Sequence, residues 1–325
     1  MRRRDFLLTA LITPLFPTTV EAQVPGRVWR IGALSPSPNA IETIRTVTLP
    51  ELAKSGFAEG RNLIFDPRST DGVFERLPAA ARDLVEAKPD VILAVGPGAI
   101  RAAKAATSTI PIVMTFAGED PVAAGWVQSY ARPGGNITGI VLLSPELDSK
   151  RLDVLLDTFP ARRRIGVLFH PRSVNSPNDW ALKTAATRIG REFTPFTASK
   201  EEEYVAVFAA MRSSGIEAVL FASSSIFRGD AVRRAELALQ AGLPTICEWP
   251  DMAEKGCLIS YGPTLTDLFG RAAGYVVRIF RGTPPGEMPV EDPTTFSLSV
   301  NLKTAKGLDL DIPTAPLARA DKVIE

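Results

Sequence analysis

The amino-acid sequence predicts an α/β protein with two Rossmann-like lobes, each built on a parallel sheet, joined by several hinge crossings of the chain. Strand-like and helix-like segments alternate along almost the whole sequence, as they do in parallel sheets with right-handed crossovers. Several strand segments, such as 90–95 and 218–222, are continuous apolar runs, which is typical of strands buried on both faces. The 325-residue chain is also long enough for two domains of roughly 100–200 residues each.

The first 22 residues have the pattern of an export signal. Three arginines at 2–4 precede a short apolar run, and Val20 and Ala22 form a small-residue cleavage site before Gln23, as in a secretory signal peptide. The paired arginines followed by x-Phe-Leu also fit the twin-arginine export route. A membrane anchor is the alternative, but Pro14 interrupts the run, which is too short for a hydrocarbon core of ~30 Å. We therefore expect a mature protein in the periplasm, without direct membrane insertion.

The segments after this leader read as strand and helix in turn. Helix 74–87, for example, has apolar residues at a 3.6-residue period and ends before Pro89. After strand 112–116, Pro121 suits the first turn of a short helix, and a Pro-Gly-Gly-Asn turn precedes the last strand of the lobe. In this half the sequence predicts strands at 30–34, 62–65, 90–95, 112–116 and 136–141, and helices at 40–55, 74–87, 99–107 and 122–130.

The second half repeats this order and then returns to the first lobe. Gly262-Pro263 marks a second crossing, so the apolar helix 266–280 should pack on the first lobe. The strands are predicted at 164–169, 192–196, 218–222, 244–247, 257–261 and 296–300, and the helices at 146–159, 179–190, 201–213 and 231–241. We expect the first lobe to contain residues 23–138 with about 264–288, and the second to contain 139–263 with about 289–325.

The candidate binding residues follow from this topology. Ligands of open parallel sheets bind beyond the carboxyl ends of the strands, so the loops at these ends should face one cleft. Each residue alone is commonly a turn former or a helix cap, and only their convergence on a cleft favours binding. Hydroxyls, turn amides and carboxylates together suit a small zwitterion, with an Asp or Glu binding its ammonium group. The predicted ligand-binding residues are Ser35, Pro36, Gly96, Pro97, Thr115, Asp120, His170, Asn175, Ser224, Ser225, Glu248 and Tyr261, with Trp249 as a further candidate.

Other classes of function have little support. The single histidine, His170, precedes a proline and has no Gly-x-Ser-x-Gly motif beside it, which disfavours a serine hydrolase. Gly96-Pro97-Gly98 lacks the Gly-Lys-Ser/Thr of a phosphate loop, and no cluster of His, Cys and carboxylates suggests a metal. The formal net charge of +1 gives no broad field to attract nucleic acid or anionic membranes. We therefore expect no catalytic residues, no cofactor, no metal and no nucleic-acid partner.

The two cysteines leave two interpretations open. Cys247 and Cys257 lie at the edges of predicted neighbouring strands, and export would bring them into a compartment where disulfides form. Alternatively, they are buried thiols that pack as small hydrophobic groups. The length of the mature chain favours the thiols, because a core of this size needs no disulfide to fold.

Several motifs occur together in a pattern known from one protein family. They include ARPGGNITG at 131–139, SYGP at 260–263 and NLKTAK at 301–306, with further segments at 102–107, 110–113, 120–122 and 317–321. By these motifs the chain resembles the ABC-transporter substrate-binding protein family, which includes tryptophan and tyrosine binders with the type I periplasmic-binding fold. The resemblance covers nearly all of the mature chain. It departs from the family pattern at Phe169-His170, where many members have Trp-Asn, and at residues 248–251, where Glu-Arg-Arg-Glu is typical.

The resemblance implies that two lobes close on a small molecule and then dock on a permease in the inner membrane. The first hypothesis is an extracytoplasmic solute-binding protein that delivers an amino acid or a related small carboxylate to an ABC importer. A receptor that senses a ligand for a membrane signalling protein is the alternative. An exported enzyme of the same fold is a third hypothesis, against which the absence of a nucleophile–base pair argues.

Overall fold

Two separate sheets organise the structure, a computed structural model that describes residues 26–171, 177–188, 190–224 and 227–325. The first sheet consists of five parallel strands, β1 Trp29–Ser35, β2 Leu63–Ser69, β3 Val91–Val95, β4 Ile112–Phe116 and β5 Ile137–Gly139. They lie in the order β2-β1-β3-β4-β5. Every residue of β3 and β4 is buried, as their uninterrupted apolar sequences predict.

The helices between these strands pack against the first sheet and against one another. The first helical segment comprises α1 Pro38–Thr43, a π-helical stretch at 44–48 and α2 Leu49–Lys54. The next two helices are α3 Leu77–Glu86 and α4 Pro97–Ala106. All four α-helices have a proline at the first or second position, where the missing N–H loses no helical hydrogen bond.

The short helix predicted at 122–130 does not form, and this part of the chain makes turns instead. The Asp120 carboxylate accepts a hydrogen bond from the backbone N–H of Val122 at 2.8 Å, which caps a single turn. Gly125 then adopts a φ of 68°, a left-handed conformation that ends the turn, and Trp126 enters the core. Pro121 favours the start of a helix, but the left-handed conformation of Gly125 ends it after one turn.

The second sheet has seven strands and includes one antiparallel pair. Its strands are β6 Arg164–Phe169, β7 Glu192–Thr197, β8 Ala218–Phe221, β9 Thr245–Cys247, β10 Ile259–Pro263, β11 Phe296–Asn301 and β12 Lys322–Ile324. They lie in the order β12-β11-β10-β9-β8-β6-β7, and β10 and β11 run antiparallel. The C-terminal strand β12, which the sequence did not predict, pairs with β11 at the edge.

The remaining helices connect and cover the second sheet, with one exception. They are α5 Ser144–Thr158, α6 Pro177–Arg188, α7 Tyr204–Ser213, α8 Ala231–Gln240, α9 Pro250–Glu254, α10 Leu265–Phe280, α11 Leu302–Gly307 and α12 Thr314–Arg319. The short helices α9, α11 and α12 were not predicted. None of the described helices is long and apolar enough to cross a membrane.

Helix α10 is the exception, because it packs on the first sheet although it follows strands of the second. The Thr48 hydroxyl donates to the carbonyl of Phe269 at 3.0 Å, and the ring of Phe280 stacks on Trp29 with centroids 4.3 Å apart. We use "first lobe" for the five-stranded sheet with its helices and α10, and "second lobe" for the seven-stranded sheet with its helices. The described chain thus passes between the lobes after β5, after β10 and before β11.

The first of these passages requires a glycine. Gly139 ends β5 with a φ of 127°, a conformation that side chains strongly disfavour. A Cβ at this position would lie 2.4 Å from the carbonyl oxygen of Met114 on the neighbouring strand β4. No other residue therefore fits this passage without moving β4.

The structure contains a disulfide between Cys247 and Cys257, so the expectation of two buried thiols is wrong. Cys247 ends β9 and Cys257 lies two residues before β10, its neighbour in the sheet. The Cα atoms are 6.4 Å apart, within the range that a disulfide spans. Chain length was a poor guide, because the geometry of two adjacent strand ends decides whether two thiols can meet. The bond closes the segment 248–256.

Candidate functional site

A cavity lies between the two lobes, near the carboxyl ends of their strands. Its walls surround about 380 Å³ of space, part of which is open solvent. We call it the interlobe cavity. Most of its described wall comes from α1, the ends of β3 and β4, and α10, and the second lobe contributes Arg228 and Trp249.

Apolar side chains form most of this wall. Phe116 ends β4, Trp249 follows β9 and Phe269 lies on α10, so three elements each supply one aromatic ring. The Phe116 and Trp249 rings meet edge to face across the lobes, with centroids 5.7 Å apart. Leu265 and Leu268 extend the apolar surface along α10. Such a wall suits an aromatic or aliphatic group of a ligand.

Neutral polar groups occupy the end of the cavity beside α1. Ser37, Asn39 and Thr43 belong to the wall, and the Thr43 hydroxyl donates to the backbone carbonyl of Asn39 at 2.8 Å. The backbone N–H of Ser37 donates to the Ser35 hydroxyl at 3.0 Å, which fixes the turn that follows β1. These side chains can offer hydrogen bonds to a ligand, but none of them carries a charge.

Arg228 is the one charged side chain in the described wall of the cavity. Its Nε and Nη2 atoms lie 3.1 and 2.9 Å from Oδ2 of Asp251 on α9. The same oxygen accepts a hydrogen bond from Nζ of Lys255 at 3.1 Å. Two cations therefore share one carboxylate, and this side of the cavity has an excess of positive charge.

A buried ion pair lies behind this wall in the second lobe. Asp148 and Arg151, both on α5, form an ion pair and are completely shielded from solvent. Arg151 also donates from Nη1 to the Ser223 hydroxyl at 2.8 Å and from Nε to the carbonyl of Tyr261 at 2.7 Å. Ser223 donates its hydroxyl to Asp148 at 2.9 Å. The network joins α5 to β10 and to the segment that follows β8.

Glu248 is a second buried carboxylate beside this network, with 3% of its surface exposed. Its Oε2 accepts a hydrogen bond from the backbone N–H of Ser224 at 3.2 Å, and no described donor reaches Oε1. Burial raises the pKa of Glu248 to about 7, against the opposing charge of Arg151. The group therefore changes its charge near neutral pH, within the loop that carries Trp249.

The predicted residues of the first lobe lie at the strand ends, but most of them hold the loops rather than line the cavity. Ser35, Pro36, Gly96 and Thr115 are buried, and the Thr115 hydroxyl donates to a backbone carbonyl of β3 at 3.3 Å. Pro97 begins α4 and is half-buried. None of these five side chains belongs to the described wall of the cavity.

Asp120 was predicted to bind an ammonium group, and the structure gives it another set of contacts. Its carboxylate is exposed and caps the turn that follows β4. Burial, with a smaller contribution from the charge of Asp120, raises the pKa of the Tyr130 hydroxyl to about 12. Asp120 does not belong to the described wall of the interlobe cavity.

Among the described residues that were predicted in the second lobe, His170 contacts the first lobe. His170 is largely buried, and its ring centroid lies 5.4 Å from that of Phe74, which precedes α3. Ser224 and Glu248 are hydrogen-bonded to each other, and Tyr261 stacks on Phe296 with centroids 5.9 Å apart. Asn175 and Ser225 fall outside the described residues.

Several predicted loops border the interlobe cavity, but its described wall contains neighbouring side chains. Ser37, Phe116 and Trp249 each follow a predicted residue by one position, and Trp249 was itself a further candidate. Alternation of side chains along a strand decides which of two adjacent residues faces the cavity, and strand ends are hard to place to one residue. Arg228 was missed because it lies in the connection after β8, where nothing in the sequence distinguishes it from a solvated arginine.

Chemistry other than binding has no visible basis in this part of the molecule. The described residues contain no group of three His, Cys, Asp or Glu side chains arranged for a metal ion. The arrangement instead offers an apolar slot with one cation and several neutral hydrogen-bonding groups, enclosed by two lobes. This arrangement can bind a small molecule that contacts both lobes.

Comparisons with known proteins agree with this geometry. A family model described as "ABC transporter substrate binding protein" matches residues 37–324. A tyrosine-binding protein from Clostridioides difficile strain R20291 is 25% identical over 266 residues, which cover 80% of this chain and 74% of that protein.

Solved structures share the fold over most of the chain. The ABC domain in complex with L-Trp from Streptococcus pneumonia superimposes with a TM-score of 0.80 at 22% identity, covering 91% of this chain and 100% of that one. The ligand-free, open structure of a substrate-binding protein with adhesive properties from Clostridium difficile gives a TM-score of 0.65 at 25% identity, covering 92% and 99%. The predicted two-lobe fold of type I periplasmic binding proteins is thereby confirmed.

Proposed function

Because this chain belongs to the family of ABC transporter substrate-binding proteins, we propose that it carries a small solute through the periplasm to an ABC importer. Proteins of this family bind solutes outside the cytoplasm and are not enzymes. The proposed solute is an amino acid or a related small carboxylate, as suggested by a tyrosine-binding relative and by a fold neighbour solved with L-Trp.

The interlobe cavity is the observation that carries the proposal. Its wall combines side chains of both lobes, so a solute bound there would bridge them and favour the closed arrangement. The chain also superimposes better on the L-Trp complex than on the ligand-free, open structure, although its sequence identity to the complex is lower. This difference supports a closed arrangement of the lobes here.

The proposed limits of the lobes are those expected from the sequence, residues 23–138 with about 264–288 and residues 139–263 with about 289–325. Three passages of the chain between the lobes would act as the hinge. We propose that residues 1–22 direct export to the periplasm, with the arginine pair selecting the twin-arginine route. The partner would be the permease of an importer in the inner membrane.

Thermal unfolding in the presence of amino acids and small carboxylates tests the proposal. A solute at one hundred times its dissociation constant should stabilise the protein by ~2.7 kcal/mol. Intrinsic tryptophan fluorescence then tests whether the solute binds in the cavity. Trp249 lines the cavity, whereas Trp180 on α6 is 60% exposed. The variant Trp249→Phe should lose the change in emission on binding, and the matched control Trp180→Phe should retain it.

Two results would contradict the proposal. Stabilisation by polymers or proteins alone, with no effect of any small solute, would refute a solute carrier. An unchanged fluorescence response in Trp249→Phe would place the solute elsewhere. The transport partner is tested separately with a reconstituted ABC importer, whose ATPase the solute-loaded protein should stimulate. Stimulation of a neighbouring membrane kinase instead would favour the sensory role.

A further inference from the structure

We propose that the solute is an aromatic carboxylate without an ammonium group, held by Arg228 at its carboxylate and by the rings of the interlobe cavity at its apolar end. This inference rests on the proposed function and narrows the class of its solute. It predicts that the protein binds acids such as 3-phenylpropionate in preference to the amino acids with the same carbon skeleton.

The apolar part of the wall has the chemical character that suits an aromatic ring. Phe116, Trp249 and Phe269 come from three different elements, and each is at least nine-tenths buried. The 5.7 Å edge-to-face contact between Phe116 and Trp249 connects the two lobes at this point. A ring bound beside them would make aromatic contacts with both lobes at once. These contacts would stabilise the closed arrangement of the lobes.

The charge in the wall fits an anion. Arg228 is half-buried, and its Nε and Nη2 atoms both lie near one oxygen of Asp251. Its Nη1 atom donates to no group in the part of the chain that the structure describes. Because Lys255 shares the same carboxylate oxygen, the positive charge is not balanced locally. A solute carboxylate would neutralise this excess positive charge and accept a charge-assisted hydrogen bond from Arg228.

The segment that carries Arg228 is held firmly in the second lobe. The fully buried guanidinium of Arg234 on α8 lies 4.6 Å from the ring centroid of Phe227, which precedes Arg228. Its Nη1 donates to the Tyr204 hydroxyl at 3.0 Å, and Tyr204 in turn donates to Asp230 at 2.9 Å. Contacts on both sides of Arg228 thus fix its backbone before a solute arrives, which reduces the entropy lost on binding.

An ammonium group would find no acidic partner in the described wall of the cavity. Among the described residues of the wall none is acidic. Asp251 already serves two cations, and Asp120 is exposed and caps a turn. Glu248 is 3% exposed and lies behind the wall, under the N–H of Ser224. An amino acid would therefore bury its ammonium group beside an excess of positive charge, which is costly.

Calorimetry with matched pairs of solutes on the mature protein tests the inference. The pairs are phenylalanine with 3-phenylpropionate and tryptophan with indole-3-propionate, and phenethylamine and 3-phenylpropionamide serve as probes without a carboxylate. The acids should bind at least tenfold more tightly than the matching amino acids, and the amine and the amide should bind more weakly still. Arg228→Gln should weaken the binding of the acids by about tenfold to a hundredfold. Arg233→Gln, which changes an exposed arginine on α8, should leave it unaltered.

The outcomes separate this inference from the proposed function. Equal or tighter binding of the amino acids would overturn the inference and leave the solute carrier intact. Binding of the amide as tight as that of the acid, or acid binding unaffected by Arg228→Gln, would also overturn it. If no member of the panel bound but other small solutes did, the class would be wrong. If no small solute bound at all, the proposed function itself would fail.

Discussion

Replacement of Asp148 by alanine should destabilise the second lobe strongly, because it leaves a buried arginine without its counter-charge. Asp148 and Arg151 are both fully shielded from solvent, and Asp148 also accepts hydrogen bonds from the N–H and the hydroxyl of Ser223 at 3.1 and 2.9 Å. Removal of one partner from a buried ion pair costs about 3–5 kcal/mol. We expect the free energy of unfolding in urea, followed by circular dichroism, to fall by this amount.

Helix α5 supplies the matched control. Asp157 lies on the same helix, but its side chain is 58% exposed and its partner Arg319 is 3.4 Å away at the surface. Exposed ion pairs contribute at most about 1 kcal/mol, so Asp157→Ala should leave the urea midpoint nearly unchanged. The reasoning is refuted if Asp148→Ala loses less than about 1 kcal/mol, because the buried pair would then be no more important than the exposed one.

Three further predictions concern the same region. Reduction of the Cys247–Cys257 disulfide, or serine at both positions, should cost about 2–4 kcal/mol of unfolding free energy, and identical urea midpoints with and without reductant would contradict this. Gly262→Ala should weaken both stability and solute binding, because its Cβ would lie 2.1 Å from the carbonyl oxygen of Glu248; Gly274→Ala, whose Cβ meets nothing within 4 Å on α10, should be neutral or stabilising. Glu248, with its pKa raised to about 7, binds more protons folded than unfolded, so stability should fall as pH rises from 4.5 to about 7. Glu248→Gln should reduce this pH-dependent loss of unfolding free energy by about 3 kcal/mol. Parallel pH profiles of the two proteins would contradict the assignment of the loss to Glu248.

Much of the fold is readable from the sequence because its strands are buried on both faces. The predicted bounds of β4 and β6 agree with the structure, since an uninterrupted apolar run between polar turns has few other interpretations. The failures are local. The segment 122–130 begins with a helix-start signal but contains Gly125, whose left-handed conformation ends the first turn.

Short elements near the C-terminus escaped prediction for a different reason. Helix α11 has six residues, too few for a periodic pattern, and its best signal is the cap, in which the Asn301 side chain accepts from the N–H of Thr304 at 2.9 Å. An asparagine cap is common in loops as well, so it does not identify a helix alone. Strand β12 is largely exposed and depends on pairing with β11.

The candidate site shows where sequence reasoning stops. The rule that ligands meet the carboxyl ends of parallel strands leads to loops that border the interlobe cavity. It cannot say that the Thr115 hydroxyl donates to a carbonyl of the neighbouring strand β3, whereas Phe116, one residue later, lines the cavity. Nor can it find Arg228, since its position depends on contacts with Asp251 on helix α9 and on the buried Arg234 nearby. These are tertiary contacts with no local signature.

A crystal structure with the tightest solute found by calorimetry tests the central claim most directly. The claim is that both lobes hold one small molecule in the interlobe cavity. We predict solute density beside the Phe116 ring of the first lobe and the Trp249 ring of the second, with an anionic group at Arg228. Density confined to one lobe or to the outer surface, with the cavity filled only by water, would contradict the account.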